Sequence, residues 1–194
     1  MGHQKFMKQS NLINGEWVHA DNRKSFNVLN PATGEIIGSV PASGYDETQK
    51  AIVAAAAAFP SYSTKPLLER VALLWKLHDA LLDNQKSLAE LLTIEQGKSL
   101  MEATGEIVIG AAYIRWFAEE IRRNKGEIVP ASAPDRRILV TRHPVGVVGM
   151  ITPWNFPSSM LARNLGPALA AGCTVVAKPA SATPYSGLAW GALC

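Results

Sequence analysis

The stretch VGVVGMITPWNFPSSMLARNLGPALAAGCTVVAKPASATP, residues 145–184, decides how this chain is expected to fold. It opens on an apolar run that stops at Ile151. Two prolines, Pro153 and Pro157, then bracket Trp154, Asn155 and Phe156. SSMLARNLGPALAAG has helical spacing, with Gly172 as its stop and Pro167 predicting a kink or break. TVVAK is a short unbroken apolar run, the pattern of a buried parallel strand. Thr183 is placed to cap, and Pro184 to open, a further helix. Residues 145–194 therefore read strand, helix, strand, helix, a βαβ unit with the usual right-handed crossover. In open α/β sheets ligands bind beyond the carboxyl ends of the strands. TPWNFP and KPASATP both fall at that edge, one crossover apart, so they are predicted to be neighbours.

Upstream the texture differs. LINGEWV, SFNVLN and IIGSV read as short strands, with Asn14-Gly15 as a hairpin turn. Asn30-Pro31 and Thr33-Gly34 are further turns. Three helices are then predicted. The first runs from Asp46 until Pro60 ends it. The second opens at Pro66, carries Leu67, Val71, Leu74, Leu77 and Leu81 on one face, and continues to Gly97. The third extends from Leu100 to Gly126 and is expected to pack across a sheet. EIVPASAPDRR reads as a loop or edge hairpin. The predicted organisation is strands and helices over 1–126, a loop or hairpin suited to oligomerisation over 127–144, and the start of a parallel cofactor-binding sheet over 145–194. The fold class is α/β. Two parallel strands leave bare sheet edges, and GLAWGALC is an apolar helix, so the chain reads as an incomplete part of a larger domain.

The totals narrow the function. The 194 residues are 47% hydrophobic and 18% charged, with a net charge of +3, which is ordinary for a globular protein. Basic residues cluster only in IRRNK and DRR, so no concentrated face for nucleic acid is expected. No 18-residue apolar run suggests a membrane span. MGHQKFMKQS lacks the apolar core of a secretory signal. With only Cys173 and Cys194 and no disulfide framework, a cytoplasmic protein is expected. The four histidines have no metal-ligand spacing, and there is neither a GxGxxG nor a Walker loop.

A few residues invite chemistry. Asn155 sits beyond a strand end, where its amide can donate to a developing oxyanion, with the helix starting near Ser158 adding positive potential. Spacing alone favours the plainer alternative, an asparagine capping its own loop. Lys178 ends a strand and is suited to a ribose or phosphate, or to snorkelling from the strand end. Arg163 is suited to a carboxylate, or simply to the solvated face of its helix. Cys173 reads as a buried structural thiol, and neither cysteine has the setting of a nucleophile.

TPWNFP, GPALAAGCTVV and KPASATP, together with INGEWV, NPATGEIIGSVP, EQGK, FAEE and HPVGVVGMITPWNFP in order, resemble the aldehyde dehydrogenase superfamily over nearly the whole chain. The likeness is nearest to its succinate-semialdehyde branch. The resemblance implies NADP or NAD as cofactor, a small aldehyde such as succinate semialdehyde as substrate, and a homo-oligomer for the complete enzyme. It implies that Asn155 is the side-chain half of an oxyanion hole. Ile151, Thr152, Pro153 and Trp154 would line the nicotinamide side, and Phe156 the substrate tunnel. Lys178, Pro179, Ala180 and Ser181 would meet the adenosine ribose. A serine at 181, where NAD-preferring members often carry glutamate, leaves room for a 2′-phosphate. Arg163 falls where the branch grips a substrate carboxylate. The family's nucleophilic cysteine and general-base glutamate have no counterpart here, so these 194 residues alone are expected to be inactive. A non-catalytic nucleotide-binding or subunit-interaction module remains the alternative.

Overall fold

A computed structural model describes residues 2–194. It begins with a short 3-10 turn, Gly2–Phe6. Strands β1 (Asn11–Ile13) and β2 (Glu16–Val18) form the expected antiparallel hairpin. Its two-residue turn requires positive φ at both positions, and Asn14 and Gly15 adopt 53° and 79°. β3 (Ser25–Leu29) and β4 (Ile36–Pro41) pair in the same way.

Four helices follow where three are predicted: α1 (Tyr45–Ser63), α2 (Leu67–Asp83), α3 (Gln85–Gln96) and α4 (Leu100–Glu120). The long second segment divides at Asn84, whose backbone leaves helical geometry. Gly97, with φ of 88°, closes α3 as expected. Pro60 does not end α1. It removes one backbone donor, and the helix carries on for another turn. There Ser61 Oγ and Thr64 Oγ1 donate to the carbonyls of Ala58 and Pro60 at 3.0 and 2.9 Å. α4 stops at Glu120 rather than Gly126, and residues 121–123 tighten into a 3-10 turn.

β5 (Glu127–Val129) and β6 (Ile138–Val140) make an antiparallel hairpin, one of the two forms expected for 127–144. β7 (Val147–Ile151), α5 (Ser159–Ala171), β8 (Thr174–Lys178) and α6 (Pro184–Leu193) follow as predicted. β7 and β8 are parallel, in register from Val147 opposite Thr174 to Ile151 opposite Lys178. α5 is not interrupted at Pro167. A mid-helix proline costs about 3 kcal/mol. Burial of Leu161, Ala162, Ala168 and Ala170 along the same helix outweighs that.

The core is mostly helical. α4 packs against α2, α3 and α5 rather than across a sheet, while α1 and α5 cover β7 and β8. Leu74, Leu81, Leu92, Ile107, Ile114 and Tyr185 are fully enclosed at its centre. The reason is visible in α4, where Ala103, Ile107, Gly110, Ala111, Ile114 and Ala118 are buried together. These residues recur at three- and four-residue steps on one face, and the small ones among them, Ala103, Gly110, Ala111 and Ala118, let neighbouring helices approach closely. No helix among the described residues is long and apolar enough to cross a membrane.

Candidate functional site

The parallel register brings the two predicted loops together. Ile151 pairs with Lys178, and Thr152 N donates to Lys178 O at 3.3 Å. The chain then leaves both strands at the same edge, so 152–158 and 179–183 lie side by side. Ile151, Pro153, Trp154, Asn155 and Phe156 are exposed there, as are Lys178 and Ser181; Pro179 and Ala180 are half-buried. Thr152 is buried, and its hydroxyl has no partner. Trp154 and Phe156 are 58% and 46% exposed, so the described residues alone do not enclose a water-free pocket around Asn155.

The Asn155 side chain makes no hydrogen bond among the described residues; only its backbone carbonyl is engaged. A loop-capping asparagine needs such a bond, so the alternative favoured by spacing is not the one adopted. Arg163 lies on α5, exposed, and joins none of the ion pairs among the described residues. Cys173 is buried at the opposite edge of the sheet, just before Thr174, away from the Asn155 turn.

Three residues that hold this edge together went unassigned in the sequence reading. Glu106, on α4, is almost fully buried. Its Oε1 accepts from Ser158 N and Ser159 N at 2.9 and 3.0 Å, capping the start of α5. Lys98, from the α3–α4 link, places Nζ 2.5 Å from Glu106 Oε2 and 3.1 Å from the Asn155 carbonyl oxygen. The same ammonium stands 4.2 Å from the Phe156 ring centroid. Glu95, at the end of α3, performs the matching task for α6: Oε1 accepts from Tyr185 N at 2.5 Å and Oε2 from Ser186 N at 2.7 Å. Burial pushes the Glu95 carboxyl up to about 7, while hydrogen bonds from Ser186 and Tyr185 pull the other way.

These carboxylates correct two expectations. The amides of Ser158 and Ser159 already bond to Glu106, so they are not free to add positive potential for an oxyanion, whereas the Asn155 side-chain amide has no partner among the described residues. Thr183 makes no side-chain capping bond, and its hydroxyl is buried without a partner. Glu95 caps α6 instead. The signal for both glutamates was in the spacing. Glu95 continues the buried series Leu88, Leu91, Leu92, and Glu106 sits between buried Ala103 and Gly110. A charge on an apolar helix stripe must be paired or bonded.

A cleft of about 650 Å³ lies at the other end of α5, bordered by Phe117, Arg123, Lys125, Arg142 and Pro167. None of the predicted site residues lines it.

Residues 17–194 match the model of the aldehyde dehydrogenase family. The chain is 52% identical over 185 residues to a glutarate-semialdehyde dehydrogenase of Pseudomonas aeruginosa, covering 95% of this chain and 38% of that protein. It is 50% identical over 182 residues to an NADP-dependent succinate-semialdehyde dehydrogenase of Escherichia coli, covering 94% and 38%. The crystal structure of an E. coli NADP-dependent enzyme superposes with a TM-score of 0.96 at 48% identity, over 98% of this chain and 40% of that one. The chain thus spans about two-fifths of the length of the relatives it matches.

Proposed function

Since the chain belongs to the aldehyde dehydrogenase family, we propose that it contributes the oxyanion donor and part of the cofactor and substrate sites to an NAD(P)-dependent enzyme. That enzyme oxidises an aldehyde bearing a distal carboxylate, such as succinate semialdehyde. The observation that supports this reading most directly is the sheet edge itself. There an unbonded Asn155 amide faces out beside the loop carrying Lys178 and Ser181.

Asn155 Nδ2 donates to the aldehyde oxygen as it gains charge during attack by a cysteine thiolate. That cysteine, and the base that activates water for thioester hydrolysis, lie outside these 194 residues. The fragment alone is therefore inactive. The nicotinamide cofactor, when bound, accepts the hydride. The residues present fit such a dinucleotide: Lys178 and Ser181 are exposed and serve the adenosine ribose, while Ile151, Thr152, Pro153 and Trp154 form the nicotinamide side. With serine at 181 no carboxylate there repels a 2′-phosphate, so NADP is accepted as well as NAD. The α6 amino terminus is not offered to phosphate, because Glu95 occupies it. The exposed β5–β6 hairpin is the self-association element of a homo-oligomer, and the enzyme is cytoplasmic.

Arg163 reads the distal carboxylate, eight residues after Asn155 on the helix that leaves the reacting end. Removing one partner of such a charge pair costs about 2–5 kcal/mol. Arg163→Leu in the complete enzyme is expected to raise KM for succinate semialdehyde steeply. It should leave kcat/KM for an uncharged aldehyde of similar length nearly untouched. Equal losses for both substrates would make Arg163 structural. The names of the relatives favour a second substrate, glutarate semialdehyde, which is one methylene longer; kcat/KM for the two acids, measured side by side, distinguishes them.

A further inference from the structure

We propose that Lys98 and Glu106 are positioning residues that fix the direction of the Asn155 amide by clamping its turn at both ends. This rests on the assignment of Asn155 as oxyanion donor. At the front of the turn, Lys98 Nζ bonds the Asn155 carbonyl at 3.1 Å. At the rear, Glu106 Oε1 holds the amides of Ser158 and Ser159 at 2.9 and 3.0 Å. The two halves of the clamp are joined, because Lys98 Nζ lies 2.5 Å from Glu106 Oε2. Both side chains are nearly enclosed, 10% and 1% exposed. Between the two anchor points lie only Phe156 and Pro157, and the Phe156 ring packs under the Lys98 ammonium.

No other side chain among the described residues bonds the Asn155 backbone. Trp190 adds a bond from Nε1 to Ser158 Oγ at 3.1 Å, at the rear only. The front of the turn therefore depends on Lys98. An oxyanion donor contributes only when it already points where charge develops, since a loose donor must be reoriented during the reaction. Lys98 is nearly enclosed, and its ammonium is engaged by Glu106 and the Asn155 carbonyl. Its influence on turnover passes through the peptide that carries Asn155.

A double-mutant cycle on kcat in the complete enzyme tests this, with succinate semialdehyde and NADP both saturating. Asn155→Ala is expected to lower kcat by about 10²–10³-fold, the usual loss of one oxyanion donor. Lys98→Met is expected to lower kcat by roughly tenfold or more, with the dissociation constant for NADP changed less than about threefold. In the Asn155→Ala background the Lys98→Met effect should shrink to less than about threefold, because the group it positions is gone. If Lys98→Met fails to fold, Glu106→Gln serves in the same cycle. It keeps an acceptor for the two amides while removing the ionic link to Lys98. Full additivity of Lys98→Met, or of Glu106→Gln in its place, with Asn155→Ala overturns the positioning role and leaves the Asn155 assignment standing. An undiminished kcat in Asn155→Ala overturns both.

Discussion

The turn at 152–159 and the β5–β6 hairpin are both short excursions from the helical body, yet they are held in opposite ways. The turn is exposed at its tip and fixed at its root by a buried ion pair between the α3–α4 link and α4, about fifty residues away. Every strand residue of the hairpin is exposed, Ile128 and Leu139 to 79% and 69%. Its only side-chain ion pair among the described residues, Arg142 with Glu127 at 3.9 Å, is open to solvent on both partners. Solvated pairs of that kind contribute little. The same chain thus contains a loop with a fixed root and an apolar hairpin whose strand residues are left exposed among the described residues. The first is what a reacting centre requires, and the second is what a contact surface requires.

The largest effect should come from breaking the root of the turn. Glu106→Ala leaves Lys98 nearly buried without its carboxylate and frees two amides at the start of α5. Losing one member of a buried ion pair costs about 3–5 kcal/mol. Urea unfolding of the wild type and the variant measures it. A loss below about 1 kcal/mol would mean that water replaces the carboxylate freely, and that the two regions differ less than their burial suggests.

A second test of the contrast uses pH. The Glu95 carboxyl is buried and raised to about 7, from an ordinary value of 4.5. Between those values the folded chain holds a proton that the unfolded chain has released. The contribution of Glu95 to stability therefore falls as pH rises from about 4.5 to about 7, then levels off, by at most about 3 kcal/mol. Glu95→Gln should remove that slope. Glu47 and Glu102, lowered by hydrogen bonds from Gly44 and Ser99 respectively, act with the opposite sign. Their contribution is lost as pH falls below the ordinary carboxylate range, so the comparison of wild type with Glu95→Gln is what isolates the buried site. Melting temperatures of both proteins between pH 5 and 8 provide the check; parallel curves would show that Glu95 stays ionised throughout.

Much of this architecture was legible in the residues. The β7–α5–β8–α6 order and the edge where the two loops meet follow from apolar runs, helix stops and turn residues, all local signals. The two helices that continue through a proline do so for one reason. Pro60 and Pro167 weaken a helix locally, but tertiary burial decides whether it continues, and burial cannot be read at one position. The division at Asn84 was hidden by the unbroken periodicity on either side of it. At that edge, Asn155, Lys178 and Ser181, expected from motif and position, are exposed. What eluded the sequence was the support beneath them. Lys98 lies 57 residues from Asn155 and Glu95 lies 90 from Tyr185, and no local pattern joins them. A glutamate on an apolar helix stripe marks where to look without naming the partner.

The smallest expected effect is on the hairpin, and it sharpens the comparison most. Leu139→Ser removes an apolar side chain that is exposed in the single chain, so in an isolated monomer it should change stability by no more than about 0.5 kcal/mol. A larger loss means that Leu139 is covered in the protein as it exists in solution. The dependence of that loss on concentration then identifies the cover. A cover supplied by a second copy makes the melting temperature of the wild type rise with protein concentration, by mass action, and makes that of Leu139→Ser rise less. A cover supplied within one chain makes the loss independent of concentration. Sedimentation velocity on both proteins separates the two, since only the first predicts a smaller assembled fraction in the variant. A loss that stays within 0.5 kcal/mol, with unchanged assembly, would leave the hairpin a solvated arm and remove it from any account of self-association.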